Sequence, residues 1–294
     1  MKNKYEFNIF AKSIIGKRHE NQDNYLIRKD NGNGVVAKIL RNEKEITTIP
    51  INSFNQFIRI AVADGMGGHE NGREVAEAII EELRNGKPKT TPENLITEVK
   101  SIHKKLQAKF SIDSEKSPGS TLVVADINRS TGHCVLLNVG DSRAYIKNGN
   151  CYNQITYDHS LIEFAYRDQE IGIDEYKNAS SHKNSLVQAM IYGSSGILKD
   201  RNGDKPYRYD PDIRLDLPKD LPDDRKDHAD VISFYLKKDD ILILATDGLF
   251  KDDPELSWQQ LIDYNKIKDN DFIDRLVSNS SSTDNITAIV CSVS

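Results

Sequence analysis

Residues 57–68, FIRIAVADGMGG, decide the fold of this chain. The stretch begins with a short, mostly apolar run that is typical of a buried strand, and this run leads directly into Asp64. A carboxylate at the end of a core strand is costly to bury unless a positive group meets it. Gly65 follows, and a glycine lets another part of the chain approach the backbone closely. The stretch therefore predicts a core strand that carries an acidic side chain to a cation.

Three further acidic stretches lie far away in sequence, at 21–23 (NQD), 246–248 (TDG) and 284–285 (DN). Asp247 follows an apolar run, and Asp284 precedes another. An Asp-Gly pair alone is a common turn, but several acidic strand ends together suggest strands that converge on one cationic centre. The ligands offered are oxygens, without a Cys/His cluster, so the predicted cation is a hard one such as Mg²⁺ or Mn²⁺.

Seven short motifs span nearly the whole chain, from about residue 11 to 293. They are GKRHENQD at 16–23, VADGMGGH at 62–69, GST at 119–121, VGDSRA at 139–144, TYDHS at 156–160, ATDGL at 245–249 and DNIT at 284–287. In this order they resemble the metal-dependent protein serine/threonine phosphatases of type 2C, in their short bacterial form. The resemblance implies hydrolysis of phosphoserine and phosphothreonine in proteins. By analogy, the partners are a phosphorylated protein substrate and a serine/threonine kinase or its targets.

The resemblance also implies how the metal site is built. Two divalent cations, Mn²⁺ or Mg²⁺, would activate a water between them. Asp64 would bridge the two cations, and the Gly65 carbonyl would be a further ligand. Asp247 and Asp284 would hold one of the cations, and Asp23 would act near the site through bound water. No protein nucleophile is needed for this chemistry.

Phosphate binding is assigned to Arg18, whose planar guanidinium can bond two phosphate oxygens at once. The alternative for Arg18 is a surface salt bridge. The family pattern implies a weaker third metal at Asp141, for which the alternative is a turn cap with Arg143 as its partner. His159 is predicted to be structural, organising the turn that leads into the flap.

The sequence departs from the family pattern at two positions. Met66 stands where some members have a histidine that is proposed to protonate the leaving group, and His69 lies three residues further on. Lys251 stands where the family often has an acidic residue that serves the third metal. The two-metal core is unaffected by either change, while the general acid and the third site stay open.

The predicted fold class is α+β. Strands that alternate with helix pairs suggest two sheets packed face to face with helices outside. The resemblance implies the same arrangement: a four-layer α-β-β-α sandwich of two mainly antiparallel sheets flanked by helix pairs, with the metals at one end.

Two helices are predicted from apolar stripes at helical spacing. The first covers about 73–83, and the second begins at Pro92 with Thr91 as its N-cap. His103, on the second helix, is predicted to lie at the surface or at the boundary of the core. Residues 164–190 are predicted to be largely helical. Strands are predicted at 5–15, 122–127, 133–139 and 144–147, and again from about residue 231.

The motifs run from end to end, so residues 1–294 are predicted to form a single phosphatase domain. A polar insertion is predicted at about 30–55, where a hairpin would join two strands, and a flap at about 161–190. Residues 199–230 carry many charges and four prolines. They are expected to form either a surface loop that extends the flap or a disordered excursion without function.

Composition excludes several other classes of function. The net charge is −5, which gives no indication of a nucleic-acid surface. No apolar run is long enough to span a membrane, and the N-terminus lacks a signal-peptide core. Cys134 and Cys291 lie in strand-like runs and are expected to be reduced core residues. A cytoplasmic location is therefore predicted.

Two other hypotheses compete with an active phosphatase. One is a catalytically weak or inactive regulator of the same fold that binds phosphoproteins, although the core ligands are all present. The other is a structural metal-binding module, which would not require Arg18 beside the metal ligands.

Overall fold

The computed structural model describes residues 5–51, 54–66, 71–111, 117–149, 151–179, 185–196, 208–250, 259, 270–278 and 282–294. The apolar run that leads into Asp64 forms β5 (Phe57–Met66), the middle strand of the larger sheet. The other strands of this sheet are β2 (Asp23–Asp30), β3 (Val35–Arg41), β4 (Lys44–Thr48), β6 (Gly119–Ser120), β7 (Leu122–Asn128), β8 (His133–Val139) and β14 (Val231–Tyr235). Their order is β14-β8-β7-β5-β2-β3-β4, with the short β6 paired to β5, and all pairs are antiparallel.

A second antiparallel sheet has the strand order β1-β16-β15-β9-β10. Its strands are β1 (Phe7–Ile14), β9 (Arg143–Asn148), β10 (Cys151–Gln154), β15 (Ile241–Ala245) and β16 (Ile286–Val293). A small third sheet is formed by β11 (Gln188–Ala189), β12 (Gly193–Gly196) and β13 (Arg208–Asp210).

The helices are α1 (Gly72–Asn85), α2 (Pro92–Phe110), α3 (Leu161–Arg167), α4 (Ile173–Asn178) and α5 (Asn270–Ser278). Short 3-10 turns lie at Pro218–Asp220, Asp223–His228 and Asp247–Leu249. Helix α2 begins as predicted: Thr91 Oγ1 accepts a hydrogen bond from Asn94 N at 3.4 Å, and Pro92 takes the first helical position.

Strand alternation divides the core into three apolar layers. Ile60 and Val62 of β5 pack between the two sheets, whereas Ala61 and Ala63 face α1 and α2. In β15, Leu242 and Leu244 meet the larger sheet, and the alternate residues Ile241, Ile243 and Ala245 pack on the side of α5. The order of layers is therefore helices, larger sheet, smaller sheet and helix, which confirms the predicted sandwich. Among the residues that are described, α5 covers the outer face of the smaller sheet together with Leu249 and Phe250.

The polar insertion at 30–55 contains β3 and β4, which extend the larger sheet at one edge as a hairpin. The turn at residues 31–34 joins β2 to β3, whereas the β3–β4 hairpin turns at Asn42 and Glu43. Cys134 and Cys291 are buried and free, as predicted. In the part of the chain that is described, none of the helices is long and apolar enough to cross a membrane.

The prediction that 164–190 is largely helical is wrong. Helices α3 and α4 are short, and the chain becomes extended in its described part after residue 185. Met190 and Ser120 exchange two backbone hydrogen bonds of 2.9 and 3.2 Å, which pair this segment with β6. Pairing with a strand from a distant part of the sequence overrides the local helical preference.

The expected position of His103 is also wrong, because its side chain is fully buried. Its Nδ1 accepts a hydrogen bond from Ile191 N at 3.0 Å, so its Nε2 donates to Pro211 O at 2.8 Å. Burial lowers the pKa of His103. The ring thus ties α2 to two loop segments that the sequence did not place beside it.

Residues 208–230, the described part of the predicted 199–230 insertion, are packed against the rest of the chain. Ile213 and Leu221 belong to the apolar clusters on either side of the larger sheet. Asp216 and Arg225 are buried and form ion pairs with α3. Of the two alternatives for this segment, the disordered excursion does not apply to these residues.

Candidate metal and phosphate site

Two of the predicted metal ligands lie directly opposite each other, because Asp23 opens β2 and pairs in register with Asp64 of β5. Loss of hydration raises the pKa of Asp64 well above its ordinary value, and the negative charges of Asp23, Asp247, Asp141 and Asp284 raise it further. Strand ends from both sheets therefore bring five carboxylates close enough to repel one another.

Asp23 is buried, and its two oxygens differ in their surroundings. Oδ2 accepts a hydrogen bond of 2.8 Å from Thr246 Oγ1, which in turn accepts one of 2.9 Å from Thr287 N. Oδ1 is buried without a hydrogen-bond partner. Burial raises the pKa of Asp23 to about 7, helped by the charges of Asp247 and Asp284. A cation would stabilise a buried carboxylate of which one oxygen has no hydrogen-bond partner.

Arg18 meets the acidic cluster from the loop between β1 and β2. Its Nε and Nη2 each donate a hydrogen bond of 2.7 Å to one oxygen of Asp284. The hydrogen bond and the charge of Asp284 raise the pKa of Arg18, and the charges of Asp247 and Asp64 add to this effect. The side chain of Arg18 is 58% exposed, so an anion from solvent can reach it.

The close approach predicted at Gly65 is present. A Cβ at this position would overlap the carbonyl group of Gly72 and lie 2.7 Å from Gln22 O. Gly65 N donates a hydrogen bond to Gln22 O at 3.2 Å. Only glycine lets the end of β5 pack against the start of α1 and the loop before Asp23 together.

Asn285 is a positioning residue to which the sequence analysis gave no role. Its Nδ2 donates to Ile15 O at 2.8 Å and to Glu20 O at 3.0 Å, and its Oδ1 accepts from Gln22 N at 2.9 Å. Three hydrogen bonds from one amide thus hold both ends of the loop that carries Arg18. Its place beside Asp284 in the DNIT motif was the available signal.

We expect Asn285→Ala to lower kcat/KM for a phosphopeptide by about 10- to 100-fold, the usual loss when a group that orients site residues is removed. Three backbone groups lose their partner, so the loop with Arg18 is no longer held in place. Steady-state kinetics beside thermal unfolding test this. Asn31→Ala, in the β2–β3 turn, is the matched control. Unchanged kinetics in a folded Asn285→Ala protein would contradict the role.

Asp141 lies in the turn between β8 and β9, and its charge acts on Asp64. Its neighbour Arg143 donates two hydrogen bonds, of 2.8 and 2.7 Å, to the two oxygens of Asp158. If Arg143 were the partner of Asp141, as the alternative holds, its guanidinium would have to bind both Asp141 and Asp158.

Met66 lies at the end of β5, where it pairs with Gly119. His69 and Lys251, the other two positions that bear on the family departures, lie outside the described residues.

The donor set fits a hard cation in its chemistry. It consists of carboxylates and one backbone carbonyl. One of its oxygens, Asp23 Oδ1, is buried without a hydrogen-bond partner. The carboxylates also raise the pKa of Asp23 and Asp64 by their mutual repulsion. Among the described residues, no three His, Cys, Asp or Glu side chains are gathered tightly enough to hold an ion as they stand. In this arrangement Arg18 neutralises Asp284, so that carboxylate would have to exchange its partner to bind a metal.

The fold is that of the bacterial PPM protein phosphatases. Over 98% of this chain it matches all of a serine/threonine phosphatase from S. agalactiae, with a TM-score of 0.65 and 19% identity. Over the whole chain it matches 96% of Stp1 from Staphylococcus aureus, with a TM-score of 0.60 and 23% identity. At these identities the likeness shows the fold alone.

The sequence comparisons name the domain. The sequence model of the family described as Protein phosphatase 2C matches residues 31–163. A serine/threonine phosphatase stp from Listeria welshimeri is 36% identical over 149 residues, which are 47% of this chain and 57% of that protein. Residues 31–163 are thus similar to the protein phosphatase 2C family, and the chain spans little more than half the length of the curated relatives that it matches.

Proposed function

We propose that the chain hydrolyses phosphoserine and phosphothreonine in proteins, with two divalent cations, Mn²⁺ or Mg²⁺, as cofactors. Asp64 would hold both cations together with the Gly65 carbonyl. Asp247 and Asp284 would hold one of them, and Asp23 would act through water. The observation that carries this proposal is the convergence of acidic strand ends from both sheets beside one exposed arginine.

Some residues of the site would bind the cations, and others orient those ligands. When bound, the two cations would supply positive charge and lower the pKa of a bound water. Thr246 orients Asp23 through its hydrogen bond, and Thr121 Oγ1 accepts one of 3.0 Å from Asp64 N, which holds the end of β5. Asp141 would serve a third, weaker cation.

Arg18 is proposed to bind the substrate phosphate. It is held beside the acidic cluster by Asp284, and its guanidinium presents the planar pair of donors that matches two phosphate oxygens. If Asp284 held a cation instead of Arg18, the same pair of Arg18 donors would be available to a phosphate group. Binding of the phosphate and binding of the cations are therefore expected to favour each other.

The proposal is tested by hydrolysis of a phosphothreonine peptide with Mn²⁺, with EDTA and with Asp247→Ala. We expect turnover that depends on Mn²⁺, stops with chelation and falls by about a thousandfold in the variant, because cation charge in such sites contributes several kcal/mol. Asp223→Ala, at a surface carboxylate that pairs with Lys226, is the control.

No turnover by a folded protein that still binds two Mn²⁺ ions would contradict the proposal. It would favour the alternative, a phosphoprotein-binding regulator of the same fold. Turnover that persists in EDTA would contradict the role of the acidic cluster. A phosphoprotein substrate, and a kinase that shares it, are the partners that this activity implies.

A further inference from the structure

A buried cluster of charges joins the described part of the flap to the segment before β14. Asp230 lies at its centre and is almost fully buried. Its Oδ1 accepts a hydrogen bond of 2.7 Å from Arg167 Nη1 at the end of α3, and its Oδ2 accepts one of 2.8 Å from Asp216 N. Arg167 Nε also donates to Glu163 Oε1 at 2.9 Å. One carboxylate therefore anchors a flap helix and the following loop at once.

The same Asp230 oxygen is bonded to His159, at 2.9 Å from Nε2. On the other side of the ring, Nδ1 is met by Gly140 N at 3.2 Å and by Gln188 Nε2 at 2.7 Å. The amide of Gln188 is oriented by Arg214 N, which donates to its Oε1 at 2.7 Å. Because two N–H groups point at Nδ1, that nitrogen is the acceptor. The proton is therefore on Nε2, and the ring donates it to Asp230.

Gly140 is the residue before Asp141, and the turn that holds it has little room to move. Its φ is +106°, and a Cβ there would lie 2.7 Å from Thr121 Cγ2. Gly140 O accepts a hydrogen bond of 3.0 Å from His159 N. Thus His159 holds Gly140 through both its backbone and its ring, and Asp230 holds the ring.

The cluster is poorly explained by stability alone. Buried ion pairs contribute little net stability compared with apolar residues of the same volume. Glu163 Oε2 and Arg167 Nη2 are also buried without hydrogen-bond partners, which adds a further desolvation cost. What the cluster does supply is one defined geometry between the flap helix, the loop at 214–216 and the turn at Gly140.

We propose that Asp230 and His159 form a positioning pair that couples the docking of the flap to the Gly140–Asp141 turn of the site. The inference rests on the proposed function, because the turn matters only if Asp141 serves the phosphatase centre. If α3 moved away with Arg167, Asp230 would lose one of its partners. The His159 ring would then be held less firmly, and the hydrogen bond from Gly140 N to the ring would break. Flap docking and the position of Asp141 are in this way set by one carboxylate.

The test compares Asp230→Asn with Asp126→Asn. Asp126 is an equally buried partner of an arginine, Arg59, and it has no contact with the flap cluster among the hydrogen bonds of the described residues. The readouts are amide hydrogen exchange at Gly140 and steady-state kinetics with a phosphothreonine peptide and Mn²⁺. We expect Asp230→Asn to raise Gly140 exchange by at least about tenfold, because a buried amide exchanges only after local opening.

We also expect Asp230→Asn to lower kcat/KM by about 10- to 100-fold, as loss of an orienting group does. Asp126→Asn should lower stability while Gly140 exchange and kcat/KM stay near those of the wild type. Equal effects of the two variants would overturn the inference and leave the proposed function intact. If the wild type shows no turnover, the proposed function fails, and the exchange measurement still decides whether the coupling exists.

His159→Gln is the second variant, and it decides the matter if Asp230→Asn does not fold. Its amide nitrogen keeps a donor for Asp230, whereas Nδ1, the ring nitrogen that accepts from Gly140 N, is lost. Gly140 exchange should rise and kcat/KM should fall as in Asp230→Asn, and the double variant should be no worse than either single one. Protection of Gly140 that persists in a folded His159→Gln protein would overturn the inference.

Discussion

Asp64→Asn is expected to lose at least about a thousandfold in kcat, while its metal-free form unfolds at a higher temperature than the metal-free wild type. The loss follows from the proposed role of Asp64 between two cations, whose charge contributes several kcal/mol to such reactions. The gain follows from the repulsion that the carboxylate meets in the absence of metal from Asp23, Asp247 and their acidic neighbours.

The sign of the stability effect comes from the direction of the pKa shift. The pKa of Asp64 is higher in the folded chain than in the unfolded chain, so the folded state holds the proton more tightly. Without metal, the free energy of unfolding therefore falls as the pH rises from the unfolded-state pKa to the folded-state pKa of Asp64. Above that range the folded state must carry an unfavourable charge. A neutral asparagine removes this penalty at neutral pH and above.

The measurement is thermal unfolding at neutral pH in EDTA and in Mn²⁺, beside kcat for a phosphothreonine peptide. Wild type should gain stability from Mn²⁺ by mass action, and Asp64→Asn should gain much less. The surface variant Asp223→Asn should behave as the wild type in every arm. An Asp64→Asn protein that is equally stabilised by Mn²⁺, or that retains its activity, would exclude Asp64 as the central ligand.

Arg59→Met is expected to lower the free energy of unfolding by about 3–5 kcal/mol, the loss seen when one partner of a buried ion pair is removed. Arg59 is fully buried near the start of β5. Its guanidinium donates hydrogen bonds of 2.6 and 2.7 Å to Asp126 and of 2.7 and 3.2 Å to Glu98. It also donates to the carbonyl groups of Leu83 and Lys87. Methionine would remove all of these donors and leave the buried Asp126 without its charged partner.

Urea unfolding measures this loss, and a double variant tests its cause. Arg59→Met with Asp126→Leu removes both buried charges, so it should recover part of the lost stability. Recovery will be incomplete because Lys89 N, which donates to Asp126 at 2.7 Å, then loses its acceptor. A loss below about 1 kcal/mol in Arg59→Met would contradict this prediction, because it would mean that the network contributes no more than an exposed salt bridge.

The strand ends of the site could be predicted because acidic residues beside apolar runs are a local signal. Asp23 and Asp64 lie opposite each other, and Asp247 follows a strand of the second sheet, as the pattern indicated. The metal roles of these residues stay predictions. The roles of Thr246 and Asn285 could not be predicted, because their hydrogen bonds join segments more than 200 residues apart in sequence. The spacing of apolar residues along the chain carries no information about such a pairing.

The errors have the same physical origin. Residues 186–190 have a composition that suits a helix, but Met190 is drawn into pairing with Ser120. His103 lies on the predicted helix, but the chain at Ile191 and Pro211 covers it. Arg59, for which no prediction was made, depends on distant segments in the same way, because the carboxylates that stabilise its buried charge come from other elements.

By itself the sequence determined the α+β sandwich, the strands that end in carboxylates and the need for glycine after Asp64, because these depend on periodicity and on backbone space near each residue. The tertiary structure alone decided that Arg18 pairs with Asp284, that Asn285 holds the Arg18 loop and that Asp230 bonds both Arg167 of α3 and the His159 ring. A buried charge or amide is stable only where distant segments supply its partners, and those partners come together only when the chain has folded.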